Sequence, residues 1–136
     1  MLPYLADPDL TSYDVNLFVH LKPTGSEKWV QLCESNMTHL YYSVPQTIAH
    51  HSITGCNMAT GDLLGTGTIS APEKSGFGSM LELCWKGTQV IDIGDGQERK
   101  FLKDGDEVNL EGVCKGAGFT IGFGECTGAV LPAHKD

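Results

Sequence analysis

A single carboxylate inside an apolar run is the first group that could do chemistry. In "APEKSGFGSMLELCWKGT", residues 71 to 88, Glu82 lies among Met80, Leu81, Leu83 and Cys84. Read with period two, residues 79 to 85 form a strand with Ser79, Leu81, Leu83 and Trp85 on one face, and Met80, Glu82, Cys84 and Lys86 on the other. Burying an unpaired charge is costly. Glu82 is therefore either solvated and paired with Lys86 on the same strand face, or enclosed for a reason. An enclosed carboxylate can orient a histidine or handle a proton.

Thr68 is the second candidate. "GDLLGTGTIS" has no third glycine at the dinucleotide spacing and no lysine for a phosphate loop. What remains is a strand, residues 63 to 70, whose glycines let a backbone or ligand approach closely and whose Thr68 hydroxyl can donate to a bound oxygen. Threonine is also simply a good strand residue.

Two other motifs lead away from metals. His50 and His51 are adjacent, and on a helix neighbouring side chains point about 100° apart, too divergent to chelate one ion. A structural or capping role near a helix C-terminus suits them better. "DIGDGQERKFLK" has the outline of a calcium loop from Asp92, but Gly94 and Gly96 occupy its third and fifth positions and Lys103 stands where a bidentate glutamate belongs. Asp-Gly suits a type I′ hairpin turn instead. No Ser-His-Asp order and no Cys-His constellation can be read from the remaining residues.

Several elements must position these groups. "SYDVNLFVHL" alternates strictly and, with "KWVQLCES" after the turn signal "KPTGSE", predicts a hairpin. "SNMTHLYYSVPQTIAHHS" places Met37, Leu40, Tyr41, Val44 and Ile48 at helical spacing, with Ser35 or Asn36 as cap, and is expected to be the only helix. Pro45 should break it into a short first turn and a second segment that the proline itself helps to start. Beyond it, strands are expected over 63 to 70, 79 to 85, 88 to 92, 99 to 102, 107 to 113 and 119 to 123, with "DIGDGQE" and "KDGDE" as turns. The fold class is mainly β with one helix.

The 136 residues allow one modest domain. A net charge of -8 with only nine lysines and arginines repels phosphate backbones, so nucleic acid is not an expected partner. Five widely spaced cysteines without a C-x-x-C pair suggest neither a zinc site nor a secreted disulfide framework. With no signal-like N-terminus and no apolar run of membrane-span length, a reducing cytoplasmic setting is expected.

Three long stretches, "AHHSITGCNMATGDLLGTGTIS", "SGFGSMLELCWKGT" and "FLKDGDEVNLEGVCKGAGFTIGFGECTGAVLPA", together with the opening "LPYL" and "SNMTHLYYSVPQ", resemble the C-terminal part of the fumarylacetoacetase (fumarylacetoacetate hydrolase) family. The resemblance implies a portion of that family's mixed β-roll and β-sandwich C-terminal domain. It implies metal-dependent hydrolysis of a carbon-carbon bond in fumarylacetoacetate, the last step of tyrosine and phenylalanine breakdown. By motif match Glu82 is the catalytic glutamate that orients a water-activating histidine, and Thr68 is a substrate-binding residue. Calcium and magnesium are the family's cofactors, and the full-length form is expected to be a homodimer.

None of the five histidines matches the catalytic one, and the metal ligands lie in segments N-terminal to those present. Residues 1 to 136 are thus expected to be an incomplete portion of the catalytic domain, inactive alone. Two alternatives are a non-catalytic β-rich interaction or dimerisation module, and a hydrolase of another β-diketo acid such as an acylpyruvate.

Overall fold

A computed structural model describes residues 1–9 and 12–134. Strands β1 (Asn16–Lys22) and β2 (Val30–Asn36) form the expected hairpin, and Val19 and Cys33 sit opposite each other beside a bulge. β1 also pairs along its whole length with β5 (Glu107–Gly116), which pairs in turn with β6 (Phe119–Ala129). The result is an antiparallel four-stranded sheet of order β2-β1-β5-β6. A separate two-stranded ribbon joins β3 (Ile91–Asp92) and β4 (Glu98–Arg99).

The main helix, α1 (Val44–Ser52), begins where Pro45 allows. Proline has no N–H to lose in the first turn, and its fixed φ is already helical. The cap is Ser43, not Ser35 or Asn36. Its hydroxyl accepts from Gln46 N–H at 3.3 Å, and the Gln46 amide oxygen accepts from Ser43 N–H at 2.9 Å, a reciprocal capping box. Asn36 caps a separate single 3₁₀ turn, Met37–His39, which is the short first segment the proline isolates. No helix among the described residues is long and apolar enough to cross a membrane.

Two expected strands do not form. Residues 63 to 70 run without ladder partners, exposed as far as Thr68, because Gly65 and Gly67 (φ +77) supply no side chains to pack and turn the chain out of register. Residues 79 to 85 hold a helical turn, α2 (Met80–Leu83), so the alternation that placed Glu82 between Met80 and Cys84 on one strand face does not describe this segment, and α1 is not the only helix. Ser79 decides the matter: its hydroxyl accepts from the Glu82 N–H at 3.3 Å, satisfying a donor that a nascent helix leaves open. Trp85, Lys86 and Gly87 then leave the helix in left-handed conformation (φ 48, 55 and 82). Hydrogen bonds from Lys86 N–H to the Leu81 carbonyl and from Gly87 N–H to Cys84 Sγ offset the cost of two non-glycine residues there.

The ribbon is shorter than expected. Within its turn Asp95 and Gly96 both have positive φ (50 and 71), the pattern a type I′ turn demands, and Gln97 N–H closes on the Gly94 carbonyl at 2.9 Å. β5 and β6, conversely, run well past Val113 and Phe123. The core is small: Leu5, Val15, Leu21, Cys33, Leu83, Cys84 and Ile93 are its buried apolar members. Arg99 and Asp106, 4% and 0% exposed, tie the ribbon to the start of β5 through two guanidinium hydrogen bonds of 2.9 Å. Asp106 also accepts from the Thr24 and Lys103 N–H groups, each at 2.9 Å, so a single carboxylate joins the end of β1, the ribbon and β5. The arginine hydrogen bonds, aided by these backbone donors, hold its carboxyl down from the ordinary 3.8 to about 2 against the opposing effect of burial.

Candidate active site

Glu82 is half-buried at the third position of α2, and its carboxylate is anchored by two serines. The Ser79 hydroxyl donates to Oε2 at 2.9 Å while accepting from the Glu82 N–H, so cap and carboxylate lock each other. The Ser70 hydroxyl donates to the same carboxylate, at 2.8 Å to Oε2 and 3.0 Å to Oε1. Ser70 is itself fixed by the Gly78 N–H, which donates to its Oγ at 3.0 Å. Lys86 is exposed and forms no ion pair with Glu82, so the solvated Glu82–Lys86 pairing is replaced by enclosure between hydroxyls.

The same contacts bring Thr68 alongside. A Cβ on Gly78 would lie 2.5 Å from the Ile69 carbonyl oxygen and 2.8 Å from Thr68 Cγ2, so only glycine lets residues 68 to 70 pass this close to the loop before α2. Gly76 is similarly pressed against Ala71, and Ala71 N–H donates to the Gly76 carbonyl at 2.8 Å. Thr68 is exposed and lines a cavity of about 290 Å³ between this segment and the sheet, together with Ile69, Gly78, Leu17, Cys33 and Ser35. Ser35 is 6% exposed, and its Oγ has no hydrogen-bond partner among the described residues. Burial pushes the neighbouring Cys33 thiol up, and the carboxylates of Glu82 and Glu34 add to the shift.

Of the residues singled out from sequence, Thr68 lines the cavity and Glu82 is linked to its segment through Ser70 and Gly78, whereas His50 and His51 lie with other partners. His50 Nδ1 lies 3.1 Å from the Tyr4 hydroxyl, and His51 Nε2 lies 3.2 Å from Cys56 Sγ, so the two adjacent rings face different partners. Ser70 and Ser79 anchor Glu82 but are not among the site residues the sequence points to. Ser79 was legible in S-M-L-E, the S-x-x-E signature of a capped helix start; Ser70, twelve residues from Glu82, carries no local signal.

The locus does not fit calcium or magnesium. These ions need several converging oxygen ligands, whereas the Glu82 carboxylate is engaged by hydroxyl donors, and no group of three or more His, Cys, Asp or Glu among the described residues is disposed to hold a metal ion. What the arrangement can do is present a fixed carboxylate. Oε2 receives both short hydroxyl contacts, and Oε1 receives only the longer branch of Ser70, which leaves it capacity to accept a further N–H.

A family model for the fumarylacetoacetate (FAA) hydrolase C-terminal region matches residues 9–131. The fumarylacetoacetase of Homo sapiens is 54% identical over 132 residues, which is 97% of this chain and 32% of the relative. That of Caenorhabditis elegans is 52% identical over 130 residues, 96% of this chain and 31% of the relative. That of Arabidopsis thaliana is 47% identical over 132 residues, again 97% and 31%. The chain spans about a third of the length of the curated relatives it matches.

Proposed function

The chain belongs to the fumarylacetoacetate hydrolase family, and from that premise we propose that it forms the C-terminal part of a hydrolase that cleaves fumarylacetoacetate to fumarate and acetoacetate, in tyrosine and phenylalanine degradation. Glu82 is the positioning residue for a water-activating histidine, and Thr68 donates its hydroxyl to a substrate oxygen. The small-molecule substrate, a homodimeric full-length form and a cytoplasmic setting go with this reading, and the family's calcium and magnesium would be held by residues other than those described.

The observation that carries the proposal is the state of the Glu82 carboxylate. Two serine hydroxyls fix its plane and leave Oε1 able to accept from an imidazole N–H. A carboxylate so held selects the imidazole tautomer whose other nitrogen is free to take a proton from water, and it stabilises the imidazolium that results. The hydroxide formed adds to the carbonyl carbon of the fumaryl group. The bond to the neighbouring methylene carbon then breaks, with its electron pair delocalised as the enolate of acetoacetate, and the imidazolium returns its proton to that carbon. No histidine of the described residues hydrogen-bonds to Glu82, so the partner imidazole comes from elsewhere in the active assembly.

The test joins residues 9–131 to the remainder of the Homo sapiens relative and follows hydrolysis of fumarylacetoacetate. Glu82→Gln should lower kcat about 100-fold, with KM and the urea midpoint close to those of the parent chimera. Retained activity, or activity lost together with the fold, would overturn the assignment. Robust turnover by the 136-residue chain alone would remove the need for an outside histidine.

A further inference from the structure

The last turn of α1 builds a second group of reactive side chains that the hydrolytic site does not use. The helix closes with Ile53 N–H donating to the Ala49 carbonyl, and Gly55, at φ +88, reverses the chain with its N–H on the Ser52 carbonyl at 2.9 Å. That turn carries Cys56 back over the helix end and sets its Sγ 3.2 Å from His51 Nε2. Both residues are exposed. His51 Nδ1 has no protein partner among the described residues, which leaves it open to solvent.

We propose that the Cys56–His51 pair is a thiol modification site for soft carbon electrophiles of the α,β-unsaturated carbonyl class. The geometry is that of a nucleophile with its base in hydrogen-bond reach. Sγ bonds to the β-carbon of the conjugated alkene and the carbon-carbon π bond breaks. The thiol proton passes to His51 Nε2, and the same imidazolium returns it to the α-carbon, so the adduct forms with no other reagent consumed. The fumaryl group of the substrate proposed above belongs to this class, although the site stands without that reading.

The remaining cysteines supply internal controls. All five are free; Cys33 and Cys84 are buried, and Cys126 is exposed but has no imidazole beside it. The experiment treats the folded chain with limiting N-ethylmaleimide near neutral pH and reads each cysteine by peptide mass spectrometry. Cys56 should be modified at least about tenfold faster than Cys126, and His51→Ala should bring it to within about twofold of Cys126. Labelling of Cys33 or Cys84 reports unfolding, in which case His51→Gln replaces the alanine variant with the same reading. Cys56 reacting no faster than Cys126, or keeping its advantage in a folded His51 variant, would overturn the proposal.

Discussion

Asp106 accepts four hydrogen bonds of 2.9 Å, two from the Arg99 guanidinium and two from backbone N–H groups, with both oxygens doubly engaged. Glu82 is held only by the hydroxyls of Ser70 and Ser79, forms no ion pair among the described residues, and keeps one oxygen underused. Both carboxylates are removed from full solvent, yet their surroundings ask different things of them. Donors that fill every lone pair and a cation that cancels the charge leave Asp106 nothing to offer a ligand. Neutral donors on one side of Glu82 fix its position while leaving its charge and one acceptor available. Saturation marks a structural carboxylate, and incomplete saturation marks one that can act on something else.

The contrast is broken most directly by removing each carboxylate in turn. Asp106→Ala leaves the Arg99 charge buried and unpaired and should cost about 3–5 kcal/mol of stability, read from the urea midpoint. Acid sharpens the same point. The Asp106 carboxyl sits at about 2 in the folded chain against an ordinary 3.8, so its stabilisation is complete above the ordinary value. It is lost as the pH falls from roughly 4 towards 2, a decrease of about 2 kcal/mol that should disappear in Asp106→Asn. Ser79→Ala removes the α2 cap and one anchor of Glu82 together, and should cost about 1 kcal/mol in the same denaturation assay. Glu82→Gln should have the smallest effect on stability, under about 1 kcal/mol, against the large loss of turnover expected from the proposed function. If it cost as much as Asp106→Ala, the division between the two carboxylates would collapse.

The parts legible in the sequence were those whose partners are near in sequence. The β1–β2 hairpin, the helix start at Pro45 and the Asp-Gly turn each state their own local chemistry. Residues 79 to 85 are ambiguous in sequence because one helical turn and one strand both place Leu81 and Leu83 plausibly, and the deciding signal is the serine three residues before the glutamate, not the apolar alternation. The Arg99–Asp106 junction carries no motif, because its geometry depends on β1 delivering the Thr24 N–H from far along the chain. The Ser70–Glu82 contact depends on the tight passage at Gly78, which only the packed fold reveals. Pattern alone leaves enclosure of Glu82 as one of two open readings, and the role proposed for it rests on the family resemblance.

The central pairing of the sheet sets a schedule for making the molecule. β1 stands between β2, its immediate neighbour in sequence, and β5, whose Val113 pairs with Asn16. During synthesis the β1–β2 hairpin can close early, but its second edge waits until β5, about ninety residues further along, has been made. Contacts of such long sequence separation slow folding towards the millisecond-to-second range. Everything between, including α2 and the serines that grip Glu82, lies inside the loop which that last pairing closes. The grip of Ser70 and Ser79 on Glu82 spans only twelve and three residues, so it can form locally before β5 is made and is then enclosed by that last pairing.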